Sequence, residues 1–388
     1  MFYSWLAICS GNEPRGKLDC MGRALVVILT LSACARGQDT QDKALDALIQ
    51  KASNGDLDAQ LSLGETYRLG IEAKQNYAEA LRWYRSAAQK GSAEAEYALG
   101  DMYRYGEGVD IDYKEAVRWY QLASAQNLPQ AQFNLGVMYD NGTGVPQDFK
   151  EAVRLYRLTA EQGMPDAQFN LGVMYATGQG VPQDYPEAMR WYRLAAGRKA
   201  LPKAQFNIGV LYDNGQGVPQ DHAEAARWYK LAAEQGLPEA EFNFGLAYAT
   251  GQGVPQDYQE AAGWYMMAAE QGLADAEYNL AVMYASGQGV AQDEKEAVRW
   301  YRPAAEQGNR DAGFNLGVMY ATGHGMSQDP VQAYKWFTIA AAEGDGDSVT
   351  AKSRMAAKMT ADQIQEAQRQ AGSWKACKGE EECAARVK

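Results

Sequence analysis

Ala131-Gln132-Phe133-Asn134-Leu135-Gly136-Val137-Met138-Tyr139 is followed by Asn141-Gly142-Thr143-Gly144-Val145-Pro146 and then by Asp148-Phe149-Lys150-Glu151. Ala131, Leu135 and Met138 fall on one face of a helix. The second stretch ends that helix, because glycine supplies positive φ at a helix end and proline cannot continue the ladder. Asp148 with Glu151 three residues on is the signature of a capping box opening a second helix. On that helix Phe149, Ala152, Leu155, Tyr156 and Thr159 share one face, as a buried face requires. The stretch therefore spells helix, glycine turn, helix.

The same text recurs along the chain. Leu63-Gly64, Leu99-Gly100, Leu135-Gly136, Leu171-Gly172, Ile208-Gly209, Phe244-Gly245, Leu280-Ala281 and Leu316-Gly317 are spaced by 36 residues, once by 37. The extra residue falls around Gly197-Arg198-Lys199-Ala200, between helical units, where an insertion does least damage. Eight units run from about Ala59 to Gly344. Second helices open at Asn76/Glu79, Asp112/Glu115, Asp184/Glu187, Asp221/Glu224, Asp257/Glu260, Asp293/Glu296 and Asp329/Gln332. Paired carboxylates can serve acid–base chemistry, but copies at every helix start are caps, worth about 1 kcal/mol each. The glycine turns are not phosphate loops, since no strand precedes them and no Lys-Ser/Thr follows. Aromatic pairs such as Trp83-Tyr84, Trp191-Tyr192 and Trp300-Tyr301 recur mid-helix and are expected in the core. Pro303, where other units have Leu158 or Leu231, is expected to kink its helix. The predicted class is an all-α solenoid of eight helix-turn-helix repeats over residues 56–344, closed by helical caps at 42–55 and 345–376. In the first cap Ala44, Leu48 and Ala52 are expected to face the repeats; in the last, Ile364, Ala367, Ala371 and Trp374. Gly344-Asp345-Gly346-Asp347 lacks the downstream acids of a calcium loop and reads as a turn.

Composition narrows the chemistry. With 37 basic against 49 acidic residues the formal net charge is −12, so no broad footprint for nucleic acid is expected. His222 and His324 are the only histidines, and no cysteine lies between Cys34 and Cys377. The usual material for zinc sites and for thiol or Ser-His catalysis is thus missing, and neither a catalytic residue, a metal nor a cofactor is expected.

Residues 21–34 carry one positive charge, an apolar run of about ten residues and then small residues, the pattern of a signal peptide too short to span a bilayer. Leu31-Ser32-Ala33-Cys34 resembles the lipobox of bacterial lipoproteins. The resemblance implies that residues 1–33 are removed, that Cys34 becomes the lipidated first residue, and that 34–41 link it to the first cap. Several acyl chains on one residue make such an anchor stable. Glu13 and Asp19 interrupt what would be a basic leader, which points to Met21 as the true start. Ala35, where an aspartate would favour inner-membrane retention, implies the outer membrane. Cys377 and Cys383 bracket a loop that can close into a disulfide in an oxidising compartment; the alternative is two exposed thiols on the tail 377–388.

The motif Ala-x-x-x-Leu-Gly-x-Met-Tyr-x-x-Gly-x-Gly-Val, then Asp-Tyr-x-x-Ala-x-x-Trp-Tyr-x-x-Ala-Ala-x-x-Gly, resembles the Sel1-like repeat family, a relative of tetratricopeptide arrays. The departures are Glu72 at the second turn glycine of unit one and Ala281 at the helix glycine of unit seven. The resemblance implies a right-handed α/α superhelix that presents an extended concave surface for recognition. Three functions follow as expectations: a monomeric, periplasm-facing outer-membrane lipoprotein scaffold holding an extended segment of an envelope protein; an envelope polysaccharide binder; and a β-lactam-directed hydrolase. The last is disfavoured because the relatives so associated carry cysteines in each repeat. On the first helix of the units Asn134, Asn170, Asn207, Asn243, Asn279 and Asn315 recur at one position. Each amide both donates and accepts, so the ladder either meets a partner's backbone or bonds neighbouring turns and holds the repeats in register.

Overall fold

The computed structural model describes residues 43–197, 201–343 and 346–377. Cys34, the leader and Cys383 lie outside the described residues. The chain divides into two compact units, one through Asp148 and one from Phe149. The first contains α1 (43–53), α2 (Leu57–Leu69), α3 (Tyr77–Ala88), α4 (Ala93–Tyr105), α5 (Tyr113–Ala125) and α6 (Pro129–Asn141). The second contains α7 (Phe149–Glu161), α8 (Pro165–Thr177), α9 (Tyr185–Ala195), α10 (Pro202–Asn214), α11 (His222–Ala233) and α12 (Pro238–Thr250). It continues through α13 (Tyr258–Glu270), α14 (Ala274–Ser286), α15 (Glu294–Glu306), α16 (Arg310–Thr322), α17 (Pro330–Ala340), α18 (Gly346–Ala356) and α19 (Ala361–Ser373). No strand occurs among the described residues, and within each unit consecutive helices pack on one another, the order of an all-α solenoid.

The first helix of a repeat (helix A) starts earlier than its apolar pattern. In α6, α8, α10 and α12 a proline stands at the N-terminus, where its missing N–H costs nothing. Each helix A ends on a left-handed glycine, as at Gly142 and Gly178. Ala131, Leu135 and Met138 are buried as their spacing demands. The Leu-Gly signature has a packing cause. A Cβ on Gly172 would lie 2.6 Å from the ring of Tyr192 on α9, so the bare backbone lets a buried tyrosine lie against helix A. Removing such a ring from water is worth roughly 2 kcal/mol or more. In the turn, a Cβ on Gly180 would strike the carbonyl of Phe149 in the preceding repeat, and its φ of 72° adds strain for any other residue. Unit one meets the same demand without glycine, since Glu72 itself adopts a φ of 66°.

The caps of the second helices (helix B) form only half of the expected box. Asp184 accepts from the Glu187 amide at 3.0 Å, and Asp221 from the Glu224 amide at 3.0 Å. The N-cap amide, however, is already used. Asp184 donates to the Tyr175 carbonyl at 2.8 Å and Asp221 to that of Tyr212 at 3.0 Å, tying helix B to its own helix A. The glutamate turns to the arginine three residues on, as in Glu187 with Arg190 at 2.6 Å. A complete capping box stands instead at Thr360 and Gln363 of α19.

One further expectation changes. The face that α1 turns to the first repeat is Leu45, Leu48, Ile49 and Ala52, while Ala44 is exposed. Pro303, where a kink is expected, stands inside α15, which runs on to Glu306 at the full 13 residues. The proline sits one turn from the helix end, at a position where Leu194 and Leu231 are exposed, so no buried contact is lost there. At the C-terminus Ala367 of α19 joins Ala333, Tyr334 and Phe337 of the last repeat, with Ile364 packed beside them.

Candidate functional site

The six asparagines all lie half-buried on helix A. Three of them meet a tyrosine from helix B of the repeat before. Asn207, Asn279 and Asn315 bond the hydroxyls of Tyr192, Tyr265 and Tyr301, each pushed up to about 12 by burial. Asn134 reaches Tyr97 and Asp101, both at 3.4 Å. Where Asn243 stands, Tyr229 instead donates to Asp213 Oδ2 at 3.3 Å. Asn170 shares the same half-buried position. One turn along, Val137, Val173, Val210, Leu246, Val282 and Val318 occupy the same face, half-buried or exposed. This apolar row was legible in the sequence, three residues after each asparagine.

A second set of bonds joins helix B of one repeat to helix A of the next. Arg157 donates to the Tyr175 hydroxyl at 2.7 Å, Arg193 to Tyr212 at 2.8 Å and Arg85 to Tyr103 at 3.0 Å. Both histidines face a carboxylate, His222 within its own repeat and His324 across to the repeat before. His222 Nδ1 lies 2.6 Å from Asp213, and His324 Nδ1 2.7 Å from Glu294. A cavity of about 270 Å³ opens beside His324, lined among others by Asn315, Val318, Thr322 and Tyr301. In repeats one and two the equivalent face is charged: Asp101 accepts from Tyr120 at 2.7 Å and pairs with Arg68 at 3.7 Å. Burial there raises the Asp101 carboxyl despite its partners.

Cys377 is buried and disulfide-bonded, and its amide donates to the Glu306 carbonyl at 2.9 Å. No helix among the described residues is long and apolar enough to cross a membrane, and no cluster of three metal-ligating side chains occurs among them.

Helix pairs closed by glycine turns, repeated through the chain and offering amides and small apolar side chains on one helix face, define a helical-repeat scaffold. The Sel1 repeat model matches eight times, at residues 57–92, 93–128, 129–164, 165–198, 202–237, 238–273, 274–309 and 311–345, and the chain belongs to that family. A Sel1 repeat protein from Oxalobacter formigenes is 32% identical, with 81% of this chain and 91% of that one covered and a TM-score of 0.67. A protective antigen of uropathogenic Escherichia coli, displaying an SLR fold, is 30% identical over 88% of this chain and 96% of that one, with a TM-score of 0.55. A comparison with curated proteins gives no match.

Proposed function

We propose that the chain is a protein-binding scaffold that holds an extended partner segment along the helix A face, and that it does so as a lipoprotein anchored through Cys34 and facing the periplasm from the outer membrane. The observation that carries the binding reading is the composition of that face in the second unit. Asn170/Val173, Asn207/Val210, Asn243/Leu246, Asn279/Val282 and Asn315/Val318 repeat an amide beside an apolar side chain. Helices packed about 8 to 10 Å apart would present such a pair to about every third residue of an extended chain, which rises about 3.3 Å per residue. The amides meet the backbone and the apolar groups meet alternate side chains. The signal-peptide pattern and lipobox of the sequence support the address.

The polysaccharide reading needs exposed aromatic platforms. Among the described residues the large exposed aromatics are Tyr105 and Tyr113, both in repeat two, while the phenylalanines of helix A tilt against buried tyrosines, as Phe169 does on Tyr192 at 5.9 Å. Protein is therefore the better occupant. The test is photo-crosslinking in cells that make the protein, with the reactive side chain placed at Val210 or Val282 on helix A and, as controls, at Leu194 or Leu231 on the exposed side of helix B. Helix A positions should capture one discrete partner and helix B positions should not; the reverse pattern overturns the assignment.

A further inference from the structure

The fourth residue of helix A occupies one buried place in every repeat, and the chain fills it in three ways. Glutamine stands there in repeats one, three, four and five, glutamate in two, six and seven, and glycine, Gly313, in repeat eight. Two of the glutamines show what the place can offer. Ala160 O accepts the Gly163 amide at 3.0 Å and, on its second lone pair, Gln168 Nε2 at 3.0 Å. Ala52 O does the same with Gly55 and with Gln60 Nε2 at 2.9 Å. The side-chain oxygen has its own donor where the geometry allows it, as when Gln235 donates to Gln205 Oε1 at 2.7 Å.

In repeat eight the corresponding carbonyl, that of Ala305, accepts Gly308 at 3.0 Å and faces the Gln307 N–H, and position 313 has no side chain to add the bond that Gln168 makes. A cavity of about 170 Å³ opens at this place, with Ala305, Gly308 and Gly313 among its lining. Trp336 and Trp374, in edge contact at 6.0 Å, form its aromatic walls, and Arg310 stands at its rim. Gly313 is not required by the backbone, because its φ is not positive and an added Cβ would meet Trp336 at an ordinary 3.5 Å. Trp374 is fixed in turn by its indole N–H, which donates to Glu306 at 3.1 Å. None of Asn315, Val318 and His324 lines this cavity, so it is separate from the binding face proposed above.

We infer that this cavity is a receptor for a glutamine side chain supplied by a partner polypeptide, which completes repeat eight as Gln168 completes repeat four. The chemistry selects the primary carboxamide. Its N–H₂ can donate to Ala305 O, its oxygen can accept from Arg310, whose Nε pairs with Asp311 at 3.3 Å, and its methylenes can lie along the indole walls. A carboxylate brings no donor for the carbonyl, an ammonium would be placed beside Arg310, and an aliphatic side chain makes neither bond.

The test uses the full chain with fluorine-labelled tryptophan, the Trp336 and Trp374 signals being assigned by single Trp→Phe changes. N-acetylglutamine methylamide is titrated beside the norleucine, glutamate and lysine analogues. The glutamine probe should shift both signals saturably and bind about tenfold more tightly than norleucine, the worth of one buried hydrogen bond. Gly313→Gln should abolish the shift by filling the place in cis and should raise the melting temperature. If that variant does not fold, Trp374→Ala serves instead and should lose binding with the repeats intact. Equal binding of norleucine, a glutamine response that survives Gly313→Gln, or shifts that never saturate would each overturn the assignment.

Discussion

Replacing Glu277 by glutamine tests how the buried position of helix A works. Glu277 is buried in repeat seven, and burial, opposed by the bond from Gln307, pushes its carboxyl up from 4.5 to about 7. The folded chain thus prefers the protonated acid, whereas the unfolded chain ionises near 4.5. The stability this group contributes is full below that value and is lost as pH rises through about 7. Across that interval, at about 1.4 kcal/mol per pH unit, the loss amounts to about 3 kcal/mol. Other repeats show how glutamine would sit: its oxygen accepts from Gln307 as Gln205 does from Gln235, and its amide donates to Ala269 O as Gln168 does to Ala160 O. Glu277→Gln should therefore match the parent within about 1 kcal/mol at pH 5 and exceed it by roughly 2 to 3 kcal/mol at pH 8. Denaturant unfolding at both pH values measures this, with hydrogen exchange over residues 274–309 to locate it. Glu96 and Glu241 are raised by burial as well, so the difference between variant and parent is the quantity to compare. A gain of the same size at both pH values, or a loss at pH 8, would refute the reasoning.

Cys34→Ser should leave an unprocessed precursor and abolish metabolic labelling with a fatty acid; retained label removes the anchor from the proposal. Pro303→Leu should restore the backbone donor to Arg299 and, with the new side chain exposed as Leu231 is, slow hydrogen exchange in repeat seven, a gain of about 1 to 3 kcal/mol. Asp221→Ala should lower stability by about 1 kcal/mol, because the Ala223 and Glu224 amides lose their acceptor; an unchanged denaturation midpoint would show the cap to be idle. The combined change Asn170→Ala, Asn207→Ala and Asn243→Ala should abolish partner capture with little change in melting temperature. A steep fall in melting temperature with capture retained would assign the ladder to holding repeats together.

The repeat period, the helix pairs, the turns and the families of buried residues were legible in the sequence, because each depends on neighbours within a few positions. Ala131, Leu135 and Met138 share a face through helical geometry alone, and Asp221 caps through amides two and three residues away. The asparagine ladder and its valine row were visible for the same reason, as a period of 36 laid over a helix face. What tertiary structure decided is where each polar group finds its partner. The N-cap amide of Asp184 goes to Tyr175, so the expected glutamate half of the box never forms. Glu241 and Gln168 share one position, yet one accepts from Gln271 thirty residues on and the other donates to a carbonyl eight residues back. Gly313 was indistinguishable from a weak helix residue until packing showed that seven other repeats fill its place. Local propensity is a property of consecutive residues. Satisfaction of a buried donor or acceptor depends on which groups packing brings within about 3 Å, and for Asp184, Gln168 and Glu241 those groups belong to other helices or their ends.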